Sequence, residues 1–349
     1  MHMADALLSP AVGGAMWAGS LGTIIYCAKK LKEKMDEKMI PLMGVLGAFI
    51  FAGQMINFTI PMTGSSGHIG GGMLLAILLG PYAAFLVIAS VLIIQALFFA
   101  DGGLLALGAN MWNLGIYPCF IAYPLIYRTI VRQNQSPKLI TIASVLSVVV
   151  GLQLGAFSVV LETTLSGITE LPLSTFLLMM QPIHLAIGLI EGFATAGIVV
   201  YVRSLRPDIV DNIEGVQDAS SGGSLKKLLI VMSILAVITG GAFSWFASTY
   251  PDGLEWSIEK IYGKPEVPEK ENTIKENMAR LQEKTAILPD YSFPAKDDKT
   301  GKEGTPSWPA VDPGTSLSGI IGGLMVLVLV VIFGLIIKGM RKMRERREF

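Results

Sequence analysis

The fold depends on one apolar run, GMLLAILLGPYAAFLVIASVLIIQALFF, which occupies residues 72–99. At a rise of about 1.5 Å per residue, a single helix of this length would exceed what one membrane crossing needs. Gly80-Pro81 interrupts the run, and a proline inside a helix removes a backbone hydrogen bond and breaks the helix. We therefore expect two helical segments here, the first of them short, with a turn at Gly80-Pro81.

The composition is that of a membrane protein. Hydrophobic residues make up 52% of the sequence, charged residues make up only 15%, and the mean hydropathy is +0.58. Several apolar runs are long enough to cross a bilayer as helices, so we expect an all-α polytopic membrane protein. The formal net charge of zero offers no case for nucleic-acid binding. The two cysteines, Cys27 and Cys119, lie inside apolar runs, which is typical of packing residues.

The turn at Gly80-Pro81 also determines the topology. It adds one membrane crossing, and this reverses the side of the membrane on which every later loop lies. Further apolar runs lie at roughly 11–27, 41–58, 104–127, 139–161 and 173–202, which brings the predicted count to seven helices. The positive-inside rule then places the basic clusters in the cytoplasm. These clusters are Lys29, Lys30, Lys32, Lys34 and Lys38, and later Arg128, Arg132, Lys138, Arg203, Arg206, Lys226 and Lys227. The loops 59–71, 100–103 and 167–172 contain no Lys or Arg, so we predict that they and the N-terminus are extracytoplasmic.

A polar linker divides the chain into two modules. We predict a seven-helix module at 1–203, a cytoplasmic linker at 204–227 that includes the Ser- and Gly-rich stretch 218–224, and a second module at 228–349. The second module has the pattern of a two-helix transmembrane hairpin with a cytoplasmic C-terminus. Its outer segment, residues 248–316, is rich in Pro, Lys and Glu, so we expect it to be loosely ordered or to gain its structure from a partner.

The extreme N-terminus has the chemistry of a chelator. The Met1 amine, the His2 backbone nitrogen and the His2 imidazole can reach one ion together and close two small chelate rings. His68 lies in a Gly- and Ser-rich loop that the topology places on the same side, and its imidazole would complete a set of four nitrogens. Four nitrogens in a plane suit Ni(II) or Cu(II).

This chelate requires Met1 to stay in place. The N-terminus lacks the basic region of a cleavable signal peptide, so we expect none. Removal of the initiator methionine requires a small second residue, whereas His2 is large. We therefore expect the Met1 amine to survive. A frayed terminus, in which His2 has no role, is the alternative.

Three blocks of sequence resemble the substrate-binding components of nickel and cobalt energy-coupling-factor transporters, the CbiM/NikM type. They are residues 1–10 (MHMADALLSP), residues 67–72 (GHIGGG) and residues 79–84 (LGPYAA) running on to 101–110 (DGGLLALGAN). The resemblance covers residues 1 to about 203, although the family often has Pro and Gly where this chain has Ala4 and Ala6. Residues 225–349, with Tyr250 to Glu255 (YPDGLE), resemble the small two-helix companion subunit of the same transporters, here fused to the binding component.

The resemblance implies a function, a ligand set and partners. The ligands would be the Met1 amine, His2 through backbone and imidazole, and His68, and the transported substrate would be nickel or cobalt, with a planar nitrogen set favouring nickel. The implied partners are two ATPase subunits and a membrane coupling subunit. The chain itself has no Gly-x-x-x-x-Gly-Lys-Ser/Thr phosphate loop, so we expect a transporter subunit in a prokaryotic cell membrane and not an enzyme.

Several polar residues leave alternatives open. Asp101 and Glu162 are further acids at the membrane or on its outer side, Glu191 is the deepest acid, and either a functional role or a partner on a neighbouring helix would explain these groups. His184 is either a hydrogen-bonded core residue or a third ligand. Residues 64–67 (GSSG) also fit a rhomboid-like intramembrane protease in which His184 activates Ser66, but this hypothesis leaves Met1, His2 and the second module unexplained.

Overall fold

The computed structural model describes residues 2–34, 38–211, 225–268, 272–293 and 309–345. The first module contains α1 (Pro10–Lys34), α2 (Met39–Gln54), a hairpin of β1 (Phe58–Ile60) and β2 (Ser65–Gly67), α3 (Gly72–Leu79), α4 (Pro81–Phe99), α5 (Leu107–Met111), a π-helix (Trp112–Tyr127), α6 (Arg128–Val131), α7 (Pro137–Ser166) and α8 (Leu173–Leu205). The short helix α9 (Pro207–Asp211) follows in the linker. The second module contains α10 (Leu225–Gly241), α11 (Gly253–Tyr262), α12 (Thr273–Thr285) and α13 (Pro313–Glu345).

The all-α membrane class is confirmed. Six of the described helical stretches are long and apolar enough to cross a membrane, and α2 is a shorter apolar helix. The two strands are antiparallel and pair Phe58 with Gly67, which makes a small hairpin and not a sheet layer. The number of seven crossings stays a prediction, because α3 has only 8 residues.

The predicted break at Gly80-Pro81 is confirmed. Gly80 has φ +77° and ψ 163°, a conformation that residues with a side chain rarely adopt, and Pro81 begins α4. Proline suits the first helical position because its missing N–H has no partner there in any case. α3 therefore stops here, and α4 returns the chain to the side on which the hairpin lies.

The run predicted at 104–127 forms one continuous helical stretch with an unusual centre. It begins with α5, continues as the π-helix and ends in α6. Pro118 and Pro124 both lie inside the π-helix. Each proline removes a donor from the helical ladder, and a local change to wider turns is one way in which membrane helices satisfy the backbone groups that this frees.

The second module packs on α2, where α10 and α13 cover a face of small residues. A methyl group on Gly44 would lie 3.3 Å from the Leu327 carbonyl oxygen, and one on Gly323 would lie 3.7 Å from the Ala48 methyl group. Small residues spaced four apart therefore let α13 approach closely. The corresponding face of α1, which carries Gly14, Ala18 and Gly22, is exposed.

The outer segment is more ordered than its composition predicts, and the expectation of a loosely ordered segment is wrong over 248–268, 272–293 and 309–316. It contains α11 and α12, and Leu254, Ile258 and Leu288 are buried. Backbone hydrogen bonds join it to the first module, with Ser248 N donating to Asn57 O at 2.7 Å and Ile287 N donating to Phe98 O at 3.0 Å. The first module thus acts as the partner on which this segment becomes ordered. The linker stretch 218–224 and residues 294–308 lie outside the described residues.

Candidate metal centre

His2 and His68 lie side by side, as the predicted topology requires. Their rings are stacked with centroids 5.1 Å apart and planes within 13° of each other. Only 7% of the His2 side chain and 8% of the His68 side chain are exposed. Two imidazoles are therefore available at one protected position. Met1, the third predicted ligand residue, lies outside the described residues.

The N-terminal segment is fixed through the backbone of Met3. Met3 N donates to Asn110 Oδ1 at 2.7 Å, and Met3 O accepts from Asn110 Nδ2 at 3.2 Å and from Gly103 N at 2.9 Å. Two residues further on, the Asp5 carboxylate accepts from Ala106 N at 2.9 Å. The segment that carries His2 is consequently an ordered part of the fold and not a frayed end.

The loop that carries His68 is held from within the membrane. The Glu191 carboxylate on α8 accepts from Gly70 N at 2.8 Å through Oε2 and from Gly71 N at 2.9 Å through Oε1. On the other side, Gln54 Nε2 donates to Gly70 O at 2.8 Å, and Gln95 Nε2 donates to Gln54 Oε1 at 2.9 Å. These three polar side chains, on α2, α4 and α8, are almost fully buried. The deepest acid of the sequence therefore orients the backbone next to a candidate ligand.

Each imidazole has one ring nitrogen close to a carboxylate. His2 Nδ1 lies 3.3 Å from Asp101 Oδ1, and His68 Nε2 lies 4.0 Å from Asp252 Oδ2. The other nitrogen of His68, Nδ1, lies 3.1 Å from Ile69 O. Since a carbonyl only accepts, His68 Nδ1 carries the proton in this contact, and Nε2 keeps its lone pair for another partner.

Both imidazoles are prepared to act as neutral ligands. Burial lowers the pKa of His2 below its usual 6.5, and Asp101 offsets only part of this effect. Burial likewise lowers the pKa of His68. Burial alone would raise the pKa of the Asp252 carboxyl, but nearby positive charge and the N–H donated by Glu255 hold that pKa below its usual range. Near neutral pH the site therefore combines uncharged imidazoles with a negative carboxylate.

The other candidates from the sequence have hydrogen-bond partners within the first module. Glu162 accepts from Asn113 Nδ2 and Ser158 Oγ, each at 2.9 Å. His184 Nδ1 lies 2.8 Å from Met180 O, one turn earlier on α8, as expected for a core histidine. Cys27 and Cys119 are buried and free. Across the described ranges, which exclude Met1, no group of three His, Cys, Asp or Glu side chains is placed to hold a metal ion.

Sequence reasoning missed the residues that position the two histidines. Asn110, Gln54 and Gln95 hold the two segments, while Asp252 and Tyr291 come from the outer segment. Gln54 and Gln95 had a usable signal, because polar side chains inside apolar membrane helices need a partner. Asp252 lay within the quoted stretch 250–255 but had no assigned role.

Comparisons with known proteins show the family to which both modules are similar. A family model described as the cobalt uptake substrate-specific transmembrane region (CbiM) matches residues 2–209, and a PDGLE domain matches residues 226–339. The putative fused nickel transport protein NikMN of Archaeoglobus fulgidus is 34% identical over 94% of this chain and 96% of its own length. The cobalt transport protein CbiM of Sorangium cellulosum is 30% identical over 62% of this chain and 97% of its own length. The crystal structure of a truncated transition metal transporter aligns with a TM-score of 0.52 and 32% identity, over 58% of this chain and 99% of that one.

These relatives are metal transport proteins and not enzymes. The protease hypothesis is therefore wrong, and the local contacts do not support it either. Ser66 Oγ donates to Tyr250 O at 2.8 Å, which ties the strand to the second module, and His184 bonds within its own helix.

Proposed function

This chain belongs to the CbiM family of cobalt uptake substrate-specific transmembrane regions and carries a PDGLE domain after it, and from this premise we propose that it captures Ni(II) for import. It would act as the substrate-specific subunit of an energy-coupling-factor transporter in a prokaryotic cell membrane. The observation that carries this proposal is the stacked pair of nearly buried imidazoles next to the start of the chain.

The proposed ligands are the Met1 amine, the His2 backbone nitrogen, His2 Nδ1 and His68 Nε2. His2 Nδ1 can close a six-membered chelate ring with the amide nitrogen of the same residue, whereas Nε2 lies on the far side of the ring. His68 Nε2 is the nitrogen left with a lone pair by the contact of Nδ1 with Ile69 O. Four nitrogens in a plane favour Ni(II), and a Co(II) importer of the same type is the alternative, since relatives of both names occur.

Direct binding measurements test this proposal. Purified protein with a native N-terminus and a C-terminal tag should bind one Ni(II) per chain, and Co(II) should compete only weakly. A diamagnetic nickel spectrum would indicate the planar nitrogen set. Failure to bind nickel would contradict the proposal, and displacement by an equal concentration of Co(II) would favour the cobalt alternative.

Energy for import would come from two ATPase subunits and a membrane coupling subunit, as in the transporter class that this chain resembles. The exposed face of small residues on α1 is a suitable surface for a membrane partner, because small residues allow helices to approach closely. Purified chain without these partners should not hydrolyse ATP, and turnover by the purified chain alone would contradict this assignment.

We propose the domain boundaries 1–203, 204–227 and 228–349, with Met1, His68, Asp101 and residues 248–316 extracytoplasmic. Single cysteines at Met62, which is fully exposed in the hairpin turn, and at exposed Gln133, between α6 and α7, test the orientation. An impermeant thiol reagent applied to intact cells should label the first position and not the second. The buried native Cys27 and Cys119 should contribute little background.

The second module would assist delivery or release of the metal. A chain cut after Arg203 should still bind nickel when nickel is abundant but should support much less uptake in cells that contain all partners. Complete loss of binding by the truncated chain would place an essential ligand in the second module.

A further inference from the structure

The segment Tyr250 to Glu255 of the second module is locked onto the hairpin that leads to His68. Ser66 N donates to Pro251 O at 2.8 Å, Ser66 Oγ donates to Tyr250 O at 2.8 Å, and Trp256 Nε1 donates to Thr63 O at 3.0 Å. These bonds join residues that are more than 180 positions apart in the chain. The position of this segment over the hairpin is therefore a specific feature of the tertiary structure.

Glycine at position 253 brings this segment close to the core of the first module. A methyl group there would lie 2.9 Å from Ile187 Cδ1 and 3.1 Å from His184 Cε1, both closer than normal carbon contacts. A larger residue here would require the side chains of Ile187 and His184 to shift. The preceding residue, Asp252, is thereby brought next to His68.

The two oxygens of Asp252 have different roles. Oδ1 caps α11 by accepting from Leu254 N at 2.8 Å and Glu255 N at 2.9 Å. Oδ2 lies 4.0 Å from His68 Nε2, the nitrogen that holds the lone pair. The capping contacts fix the carboxylate on its helix, so its second oxygen is held toward the proposed metal position.

The second module also controls the carboxylate beside His2. Tyr291 donates to Asp101 Oδ2 at 2.5 Å, while Asp101 Oδ1 lies 3.3 Å from His2 Nδ1. The Tyr291 ring is stacked on Phe99 with centroids 5.1 Å apart. Nearby, Gln282 Nε2 donates to Ala96 O at 2.9 Å and to Gly102 O at 2.7 Å. These two hydrogen bonds hold the turn that carries Asp101. The second module thus supplies the carboxylate of Asp252 beside His68, and through Tyr291 it orients the carboxylate of Asp101 beside His2.

We propose that Asp252 is the anionic positioning residue that the second module contributes to the metal site, and that Tyr291 performs the matching task for Asp101. This inference rests on the proposed function, because it assigns the metal to the nitrogens of His2 and His68. A nickel ion bound through one deprotonated amide keeps a positive charge, and a charge in a nearly buried place is costly unless an opposite charge lies nearby. Outer partners of metal ligands typically change affinity by about 10- to 100-fold.

Asp252→Asn separates this role from helix capping. Asparagine is as good a cap as aspartate, so α11 should keep its start while the negative charge is lost. In the full-length protein with a native N-terminus, we expect the Kd for Ni(II), measured by competition with a chromophoric chelator, to rise about 10- to 100-fold. The metal-free variant should keep the helical circular dichroism spectrum of the unmodified protein, because the cap of α11 is retained. An unchanged Kd would overturn the proposal.

Asp312→Asn is the matched control. Asp312 caps α13 in the same module by accepting from Gly314 N at 2.9 Å, and its replacement removes the same charge from a different helix start. Its Kd should equal that of the unmodified protein. An equal loss in both variants would show that net charge, and not the position of Asp252, determines affinity, and this would overturn the proposal.

Two further variants complete the test. Tyr291→Phe keeps the ring stacked on Phe99 and removes only the hydrogen bond to Asp101, so we expect a smaller rise in Kd, up to about tenfold. An unchanged Kd would overturn the assignment of Tyr291. His68→Ala distinguishes a failure of the proposed metal site from a failure of the role assigned to Asp252. If His68→Ala leaves nickel binding intact, the proposed function fails, whereas a loss with His68→Ala but none with Asp252→Asn overturns only this inference.

Discussion

The two candidate ligands reach the same position from regions that are held in different ways. His2 belongs to a short terminal segment fixed by its backbone, through Asn110 and Gly103 to Met3. His68 belongs to a loop between helices, fixed by the buried side chains of Glu191 and Gln54. If both residues bind the metal as proposed, we expect the His2 side to be sensitive to residues added before Met1 and the His68 side to be sensitive to changes of the buried polar side chains.

Adding one residue before Met1 should have the largest effect. The extension turns the terminal amine into an amide and removes a donor and a chelate ring, although no side chain changes. We expect nickel to be lost during purification, as measured by metal content per chain. Protein with the same residue added after Phe349 is the control and should keep its nickel. Equal nickel in both proteins would show that the terminal amine is not a ligand.

Removal of each imidazole should compare the two regions directly. His2→Gln and His68→Gln should each weaken nickel binding by more than the roughly 100-fold upper range of outer partners. Glutamine at position 2 is large, so Met1 is retained and only the imidazole is lost. His2→Gln should be the more severe, because the His2 imidazole closes a ring with its own amide whereas His68 provides a single donor. Titrations that rank His68→Gln as the more severe would contradict the chelate at the terminus.

Glu191→Gln tests the intramembrane support of the His68 loop. Glutamine offers one oxygen where glutamate offers two, so either Gly70 N or Gly71 N loses its acceptor. We expect a loss of about 1–3 kcal/mol in stability and a nickel Kd about tenfold higher. Glu170→Gln, which changes an exposed acid before α8, is the control and should affect neither quantity. If Glu191→Gln lowers stability but leaves the Kd unchanged, Glu191 has only a packing role.

The pH dependence of binding should change the nickel affinity gradually and should arise from the terminus. Metal binding must displace protons, and a terminal amine has an ordinary pKa of about 7.7–8.0. Burial lowers the pKa of both His2 and His68 below 6.5, so these rings are already neutral at that pH and above. Nickel affinity should therefore fall by about tenfold per pH unit for each proton taken up as pH decreases below about 8. A fall confined to pH values below 6.5 would indicate that the imidazoles control binding.

Local signals predicted much of the fold. Gly80-Pro81 predicted the break between α3 and α4 because proline and glycine act on their own backbone. The distribution of Lys and Arg and the lengths of the apolar runs placed His2 and His68 at the same side, and their rings do meet. The regular structure of the outer segment was not predicted from the sequence. This segment has too few large apolar residues to form a core of its own, and Leu254 and Ile258 become buried only against the first module.

The sequence by itself determined the membrane class and the break in the long apolar run, and it placed His2 directly after Met1. Each of these depends on residues adjacent in the chain or on the composition of one helix. Only the tertiary structure decided that Glu191 holds the backbone of Gly70, that Asp101 lies beside His2 and that Asp252 lies beside His68. These partners are separated by about 100 to 180 positions, and no local pattern specifies which of the buried polar groups will meet when the helices pack.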